Sequence, residues 1–153
     1  MSENQKCIKL QADQIFLFWD LIKHGAISSF KIPREYQQAF AVNILEQLLT
    51  GMAQAWVGYV LNDEGEKNIH YISTTKIVDE KFYGVRYLSV ESLYGIRFID
   101  QEVLNKMYKV FKSYALANNC NIILTSTFDK RPEDMLQSLG FEKYKLVSRK
   151  ILT

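Results

Sequence analysis

Val85-Arg86-Tyr87-Leu88-Ser89-Val90-Glu91-Ser92-Leu93, followed by Tyr94-Gly95-Ile96-Arg97-Phe98-Ile99-Asp100 and the run from Gln101 to Ala117, is the stretch that decides the fold. Its first nine residues are rich in β-branched and aromatic side chains, the composition of a strand. The period then changes. Val103, Leu104, Met107, Tyr108, Phe111, Tyr114 and Ala115 form one apolar stripe at helical spacing. That helix is expected from near Asp100 to Asn118, with Asn118-Asn119 ending it.

Working outward, Ala53 to Leu61 and Asn68 to Val78 read as a strand pair joined by the turn Asn62-Asp63-Glu64-Gly65. A tight turn near Tyr83-Gly84 leads into the strand at Val85. Downstream, Asn121 to Phe128 reads as a strand. Pro132 opens a short helix through Leu139, Gly140 suits its C-terminus, and Phe141 to Leu152 supplies a last strand or hairpin. Upstream, Lys9-Leu10 opens a short strand. Asp13 is expected to cap a helix to about Lys23, with Phe16, Trp19 and Ile22 on one face, ended by His24-Gly25. Pro33 suits the first turn of a second helix carrying Tyr36, Phe40, Ile44 and Leu48, stopped by Gly51. Strands and helices interleaved in this way imply an α/β chain of the mixed (α+β) kind, with helices on both faces of one central sheet.

The composition agrees. The 153 residues suit one domain, 1–153, and 48% hydrophobic with 24% charged residues is an ordinary globular balance. Aromatics at 13% indicate a well-filled core. A net charge of +2, without a basic run, speaks against nucleic acid as a partner. Lys106, Lys109 and Lys112 read as one solvated helix face. Cys7 and Cys120 stand far apart, and His24 and His70 are isolated, so there is no metal-ligand spacing. Both thiols are expected reduced and buried. No apolar run approaches the length of a membrane span, and the polar amino terminus lacks an apolar leader. A cytoplasmic location and no membrane partner are expected.

Three local patterns carry a resemblance. The hairpin Ala53 to Val78 precedes the decisive strand. Leu88-Ser89-Val90-Glu91 runs directly into the long helix. Met135-Leu136-Gln137-Ser138-Leu139-Gly140-Phe141 ends a later helix in Leu-Gly-Phe. With this element order the chain resembles the GNAT superfamily of acyl-CoA N-acyltransferases, best over Ala53 to Leu152. It is similar to small GNAT-like proteins of tailed bacteriophages. The resemblance implies a GNAT-like fold whose fourth and fifth strands splay to admit the pantetheine arm. The cofactor pyrophosphate then rests on backbone N–H groups at the start of the long helix, where unpaired donors and the helix dipole favour an anion.

The departures from that pattern lie at the same place. The family carries glycines between strand and helix, and here Phe98 and Asp100 occupy the two glycine positions. Phe98 blocks close approach, and Asp100 is expected to cap the helix with its own carboxylate. Glu102 adds negative charge to the first turn. The tyrosine that many members use as the acid is replaced by Leu136, with Tyr94 or Tyr144 as substitutes. The asparagine often found after the fifth strand is absent from Phe128-Asp129-Lys130-Arg131-Pro132.

The resemblance thus implies Glu91 and Tyr94 as catalytic candidates, and Val90, Ser92, Arg97 and Asp100 as the cofactor-binding set. Against these stand ordinary structural roles: Glu91 paired with a neighbour such as Arg86, Tyr94 packing at a rim, Arg97 solvated. Lys130 and Arg131 flank the opposite side of the gap. Ser73-Thr74-Thr75 reads as an exposed polar face. Two functions follow. One is a non-catalytic binding or assembly protein with a degenerate acyl-CoA site and an unknown protein partner, phage-encoded and placed in the host cytoplasm or the virion. The alternative is a divergent N-acetyltransferase using acetyl-CoA on a small primary amine.

Overall fold

The computed structural model describes residues 4–126 and 130–143 and the isolated positions 150 and 152. Strand β1 (Gln5–Lys9) leads through α1 (Ala12–Ile15) into α2 (Trp19–Phe30) and α3 (Gln37–Leu49). The antiparallel strands β2 (Ala53–Leu61), β3 (Lys67–Glu80) and β4 (Val85–Gly95) follow. Helix α4 (Gln101–Ala117), strand β5 (Ile122–Thr125) and helix α5 (Lys130–Gln137) close the described fold. The sheet order is β1-β2-β3-β4-β5. β1 to β4 pair antiparallel, and β5 joins β4 in parallel across the α4 crossover. The mixed sheet covered on both faces is the architecture that the element order requires.

Two cores result. On one face the α4 stripe of Val103, Leu104, Met107, Phe111 and Ala115 buries against Trp56, Tyr71 and Leu88. Trp56 meets the Phe111 ring at 5.0 Å and the Tyr114 ring at 5.1 Å. On the other face α1, α2 and α3 deliver Ile15, Ile22 and Leu48 to Ala55, Val57 and Ile72. The central strands are therefore buried on both sides, which corrects the expectation for Ser73, Thr74 and Thr75. All three are buried, and their hydroxyls are satisfied inside the sheet. Ser73 Oγ donates to the Ser92 carbonyl at 2.6 Å, and Thr75 Oγ1 accepts from Trp56 Nε1 at 2.8 Å and donates to Gln54 Oε1 at 3.0 Å. A polar run in a central strand is tolerated when each group has a partner.

Other boundaries differ for local reasons. The first strand ends at Lys9 rather than starting there, zipped to β2 from Gln5↔Val60 to Lys9↔Trp56. Gln11, not Asp13, precedes the first helical turn, and its N–H donates to Gln14 Oε1 at 2.8 Å. His24-Gly25 does not stop a helix. α2 runs through both and ends at Lys31, whose backbone is left-handed at φ 50. Pro33 opens a single 3-10 turn, Arg34–Tyr36, before α3. β5 ends at Thr125, shorter than expected, and α5 begins at Lys130 and ends at Gln137, so both its ends fall two residues before those expected and Pro132 lies in its first turn rather than opening it. Gly140 has φ +88, as a helix-terminating glycine requires. Phe128 and most of the expected final strand lie outside the described residues. Cys120 is buried and Cys7 half-buried, and both are free thiols. No described helix is long and apolar enough to cross a membrane.

Candidate functional site

The site grows from a fault in β4. β3 and β4 pair regularly up to Thr75↔Val90, and the next pair is Thr74↔Ser92. Glu91 is the extra residue of a β-bulge, a device that bends a strand and re-aims its side chains. At the same level the parallel pairing with β5 stops, at Val90↔Thr125. Beyond it, among the described residues, β4 continues to Gly95 without β5 beside it. The pairing of β4 with the edge strand β5 thus ends at the level of the bulge.

The bulge sorts the candidates onto two faces. Val90 packs half-buried against the α4 core. Ser92, two residues on, faces the α1–α3 side instead, buried, with its Oγ 2.5 Å from Thr74 Oγ1. Glu91 faces that side too, 3.7 Å from Lys76 Nζ. The expected Glu91–Arg86 pair is therefore corrected. Five residues of strand separate those two by about 16 Å, and Arg86 pairs with Asp79, its cross-strand neighbour, at 2.8 Å. Arg86 Nε also donates to the Asn118 carbonyl at 2.8 Å.

Tyr94 lies opposite Ile72 on the same face as Ser92. Its hydroxyl is 3.2 Å from His24 Nε2, and the two rings meet edge to face at 5.1 Å. Gly25 makes this meeting possible. A Cβ there would fall 2.8 Å from Tyr94 Cβ and 3.1 Å from Ile72 Cγ2, inside ordinary carbon contact. The glycine that looked like a helix stop is the point where α2 presses onto β4.

Past Gly95 the chain is pinned. The N–H groups of Ile96 and Arg97 both donate to the His70 carbonyl, at 2.9 and 3.1 Å. Phe98 is 67% exposed and the Arg97 side chain points outward. Asp100 then caps α4 as expected: its Oδ1 accepts the Val103 N–H at 2.9 Å. Exposed Glu102 stands in the same turn. The amino end of α4 thus already holds one carboxylate with a second beside it.

Solved acetyltransferases share this architecture end to end. A GCN5-related N-acetyltransferase from Ralstonia eutropha superposes with a TM-score of 0.70 at 12% identity, covering 96% of this chain and 98% of that one. A predicted acetyltransferase from Clostridium acetobutylicum, in a structure with acetyl-CoA, gives 0.69 at 12% identity over 96% of each chain. AAC(6')-Iy, in complex with a bisubstrate analogue built on CoA, gives 0.67 at 13% identity over 97% of this chain and 98% of that one. The chain has the GNAT fold. No family model matches the sequence, and no curated protein matches it. At these identities the likeness carries the fold alone.

Set in the GNAT fold, the sequence candidates fall into three groups. Glu91, Ser92 and Tyr94 share one face of β4, at and beyond the point where its pairing with β5 ends. Val90 lies on the other face, and Arg97 and Asp100 lie on the loop and cap beyond. Leu136 packs against the α4 core. Tyr144, Phe128 and Asp129 lie outside the described residues. Sequence reasoning missed two partners: His24, brought to Tyr94 across 70 positions, and Lys76, brought to Glu91. The one available signal for His24 was its neighbour Gly25, since an isolated glycine inside a helical pattern often marks a packing contact.

Proposed function

We propose that this chain is a non-catalytic GNAT-fold protein with a degenerate acyl-CoA site, acting by binding or assembly with a protein partner. The observation that carries this reading is the occupied amino end of α4. A pyrophosphate grip needs backbone donors open to the anion, and here Asp100 takes the Val103 N–H while Glu102 adds like charge. The Ile96 and Arg97 N–H groups, at the start of the loop before α4, are held by the His70 carbonyl. The resemblance to small GNAT-like phage proteins supports a viral source and a place in the host cytoplasm or the virion. Structural viral genes among its genomic neighbours would favour that placement, and their absence would count against it.

Calorimetry with acetyl-CoA tests the central claim. Wild type is expected to bind weakly or not at all. Phe98→Gly with Asp100→Gly removes the bulk and the competing carboxylate, and should bind CoA measurably better. Tight wild-type binding weakened by the same changes would overturn the reading.

One observation favours the alternative, a divergent N-acetyltransferase acting on a primary amine. The β4–β5 pairing ends at the level of the bulge, and Glu91 and Tyr94 lie on one face of β4 at and beyond that point. In that reaction Glu91 accepts a proton from the substrate ammonium, directly or through water, and the amine attacks the thioester carbonyl. The tetrahedral adduct collapses, the C–S bond breaks, Tyr94 protonates the departing thiolate, and the extra proton on the new amide nitrogen passes back to the Tyr94 phenolate. Release of CoA thiol from acetyl-CoA over a panel of small amines, lost in Glu91→Gln, would establish this reading in place of the first.

A further inference from the structure

Two buried polar atoms, Gln5 Oε1 and His70 Nδ1, have no hydrogen-bond partner among the described residues. Both residues line one cavity of about 10 Å³, bounded by Gly58 on β2 and by Val103 and Lys106 on α4. A buried polar group without a partner costs stability and calls for a reason. Two of them in one cavity point to a partner they share.

The backbone turns His70 toward this cavity. β2 and β3 pair Gly58↔Tyr71 and then Tyr59↔Ile69, which leaves His70 as the extra residue of a second bulge. Ile69 and Ile72 belong to the α1–α3 core, and Tyr71 belongs to the α4 core. Strict alternation would send His70 to the α1–α3 side with Ile72. The bulge places it instead on the α4 side beside Tyr71. The carbonyl of the same residue accepts the Ile96 and Arg97 N–H groups. One residue thus joins the cavity to the loop before α4.

We propose that this cavity binds a single water molecule, which bridges His70 Nδ1 to Gln5 Oε1 and so locks the bulge that holds the loop before α4. Size sets the limit: one water needs roughly 10 to 15 Å³, and about 10 Å³ leaves no room for a second. Chemistry selects the occupant. The Gln5 oxygen only accepts, whereas Nδ1 of a neutral imidazole donates or accepts according to its tautomer. Water serves either tautomer. An anion would face the Gln5 oxygen, and a cation would face Lys6 and Lys106, which line the same cavity. An apolar guest would leave both polar atoms unmet. The lock follows from placement. β1 is the edge strand, and the water ties its first residue to β3 across β2. Holding the imidazole holds the bulge, and the bulge sets where the His70 carbonyl stands. The inference goes beyond the cofactor reading and does not rest on it.

A high-resolution crystal structure of the full chain tests the site. A water peak is expected within hydrogen-bond distance of both atoms, roughly 2.7 to 3.2 Å. Amide hydrogen exchange tests the lock. In Gln5→Leu the Ile96 and Arg97 amides should exchange faster by about five- to 150-fold, the range for stranding one buried polar group. They should quicken by a larger factor than the central amides of β2, which report opening of the whole sheet. Gln5→Glu keeps the oxygen acceptor and should exchange at these two amides much as wild type does. Three crystallographic results would overturn the proposal: no water between the two atoms, a chloride identified there by its anomalous signal, or either atom bonded directly to Lys6 or Lys106. So would exchange at Ile96 and Arg97 that rises no more than in β2, or that rises equally in Gln5→Glu. The crystallographic test uses wild type, so it decides the site even where Gln5→Leu fails to fold.

Discussion

Gly58→Ala should destabilise the protein, although alanine in a strand is ordinarily the better residue. Gly58 sits between Cys7 on β1 and Tyr71 on β3. The Tyr71 ring crosses the bare glycine backbone, and its hydroxyl meets the Cys7 thiol. A Cβ on Gly58 would lie 2.0 Å from Tyr71 Cε1 and 2.2 Å from Cζ, where carbon atoms prefer about 3.5 Å or more. The ring must withdraw by about 1.5 Å, but it is buried beneath α4 with little room to move. Overpacking of this kind costs about 1 to 3 kcal/mol, and the gain from replacing a strand glycine by alanine offsets about 0.5 to 1 kcal/mol of it. A net loss of about 0.5 to 2 kcal/mol is expected from urea unfolding at unchanged m-value. In a Tyr71→Leu background the obstruction is gone, and the same change should become neutral or stabilising, a coupling of about 1 to 3 kcal/mol. Equal effects in the two backgrounds, or a more stable Gly58→Ala single variant, would refute the argument.

Phe111→Ala should cost about 3 to 5 kcal/mol, because the ring is buried against Trp56 and leaves a cavity; a loss below about 1 kcal/mol in urea unfolding would mean the wrong helix face has been assigned. Asp100→Ala removes the Val103 cap and should cost about 0.5 to 2 kcal/mol in the same assay. Burial pushes the Cys7 thiol up to about 11 from 9.0, against smaller opposing effects of Tyr71 and Lys106. Alkylation of the folded chain at Cys7 should therefore lag a free thiol until about pH 11. Because the folded value is the higher one, this group's contribution to stability is intact below pH 9 and is lost as pH rises from about 9 to 11.

The fold was legible wherever one element met one physical demand. The α4 stripe is the clearest case: its seven apolar positions at helical spacing admit one buried face, and the structure buries five of them. The β2–β3 hairpin is similar, since β-branched runs around Asn62 to Gly65 have few other solutions. Elements answering to two demands were misread. Gly25 carries the local signal of a helix stop, but its bareness serves contact with Tyr94. Ser73, Thr74 and Thr75 carry the signal of a wet face, yet the partners that let them be buried, Trp56, Gln54 and Ser92, lie 18 or more positions away.

The site divides along the same line. Asp100 was legible as a cap because capping is local: a carboxylate three residues before an N–H that needs an acceptor. The Glu91 bulge was not, because a bulge exists only as a mismatch between two strands. Without it, Val90 and Ser92 count as neighbours on one face; with it, one joins the α4 core and the other faces α2. Nor did any local pattern connect His70 to the loop at Ile96 and Arg97, yet that contact strengthens the case begun at Asp100. The distant carbonyl takes the backbone donors of Ile96 and Arg97 and the local cap takes that of Val103, so donors at both ends of the loop-to-helix segment are already engaged. Restoring an anion site therefore calls for more than glycines at 98 and 100. The loop must also leave His70, so the repaired variant should bind CoA better than wild type yet remain weaker than a site whose loop donors are open from the start.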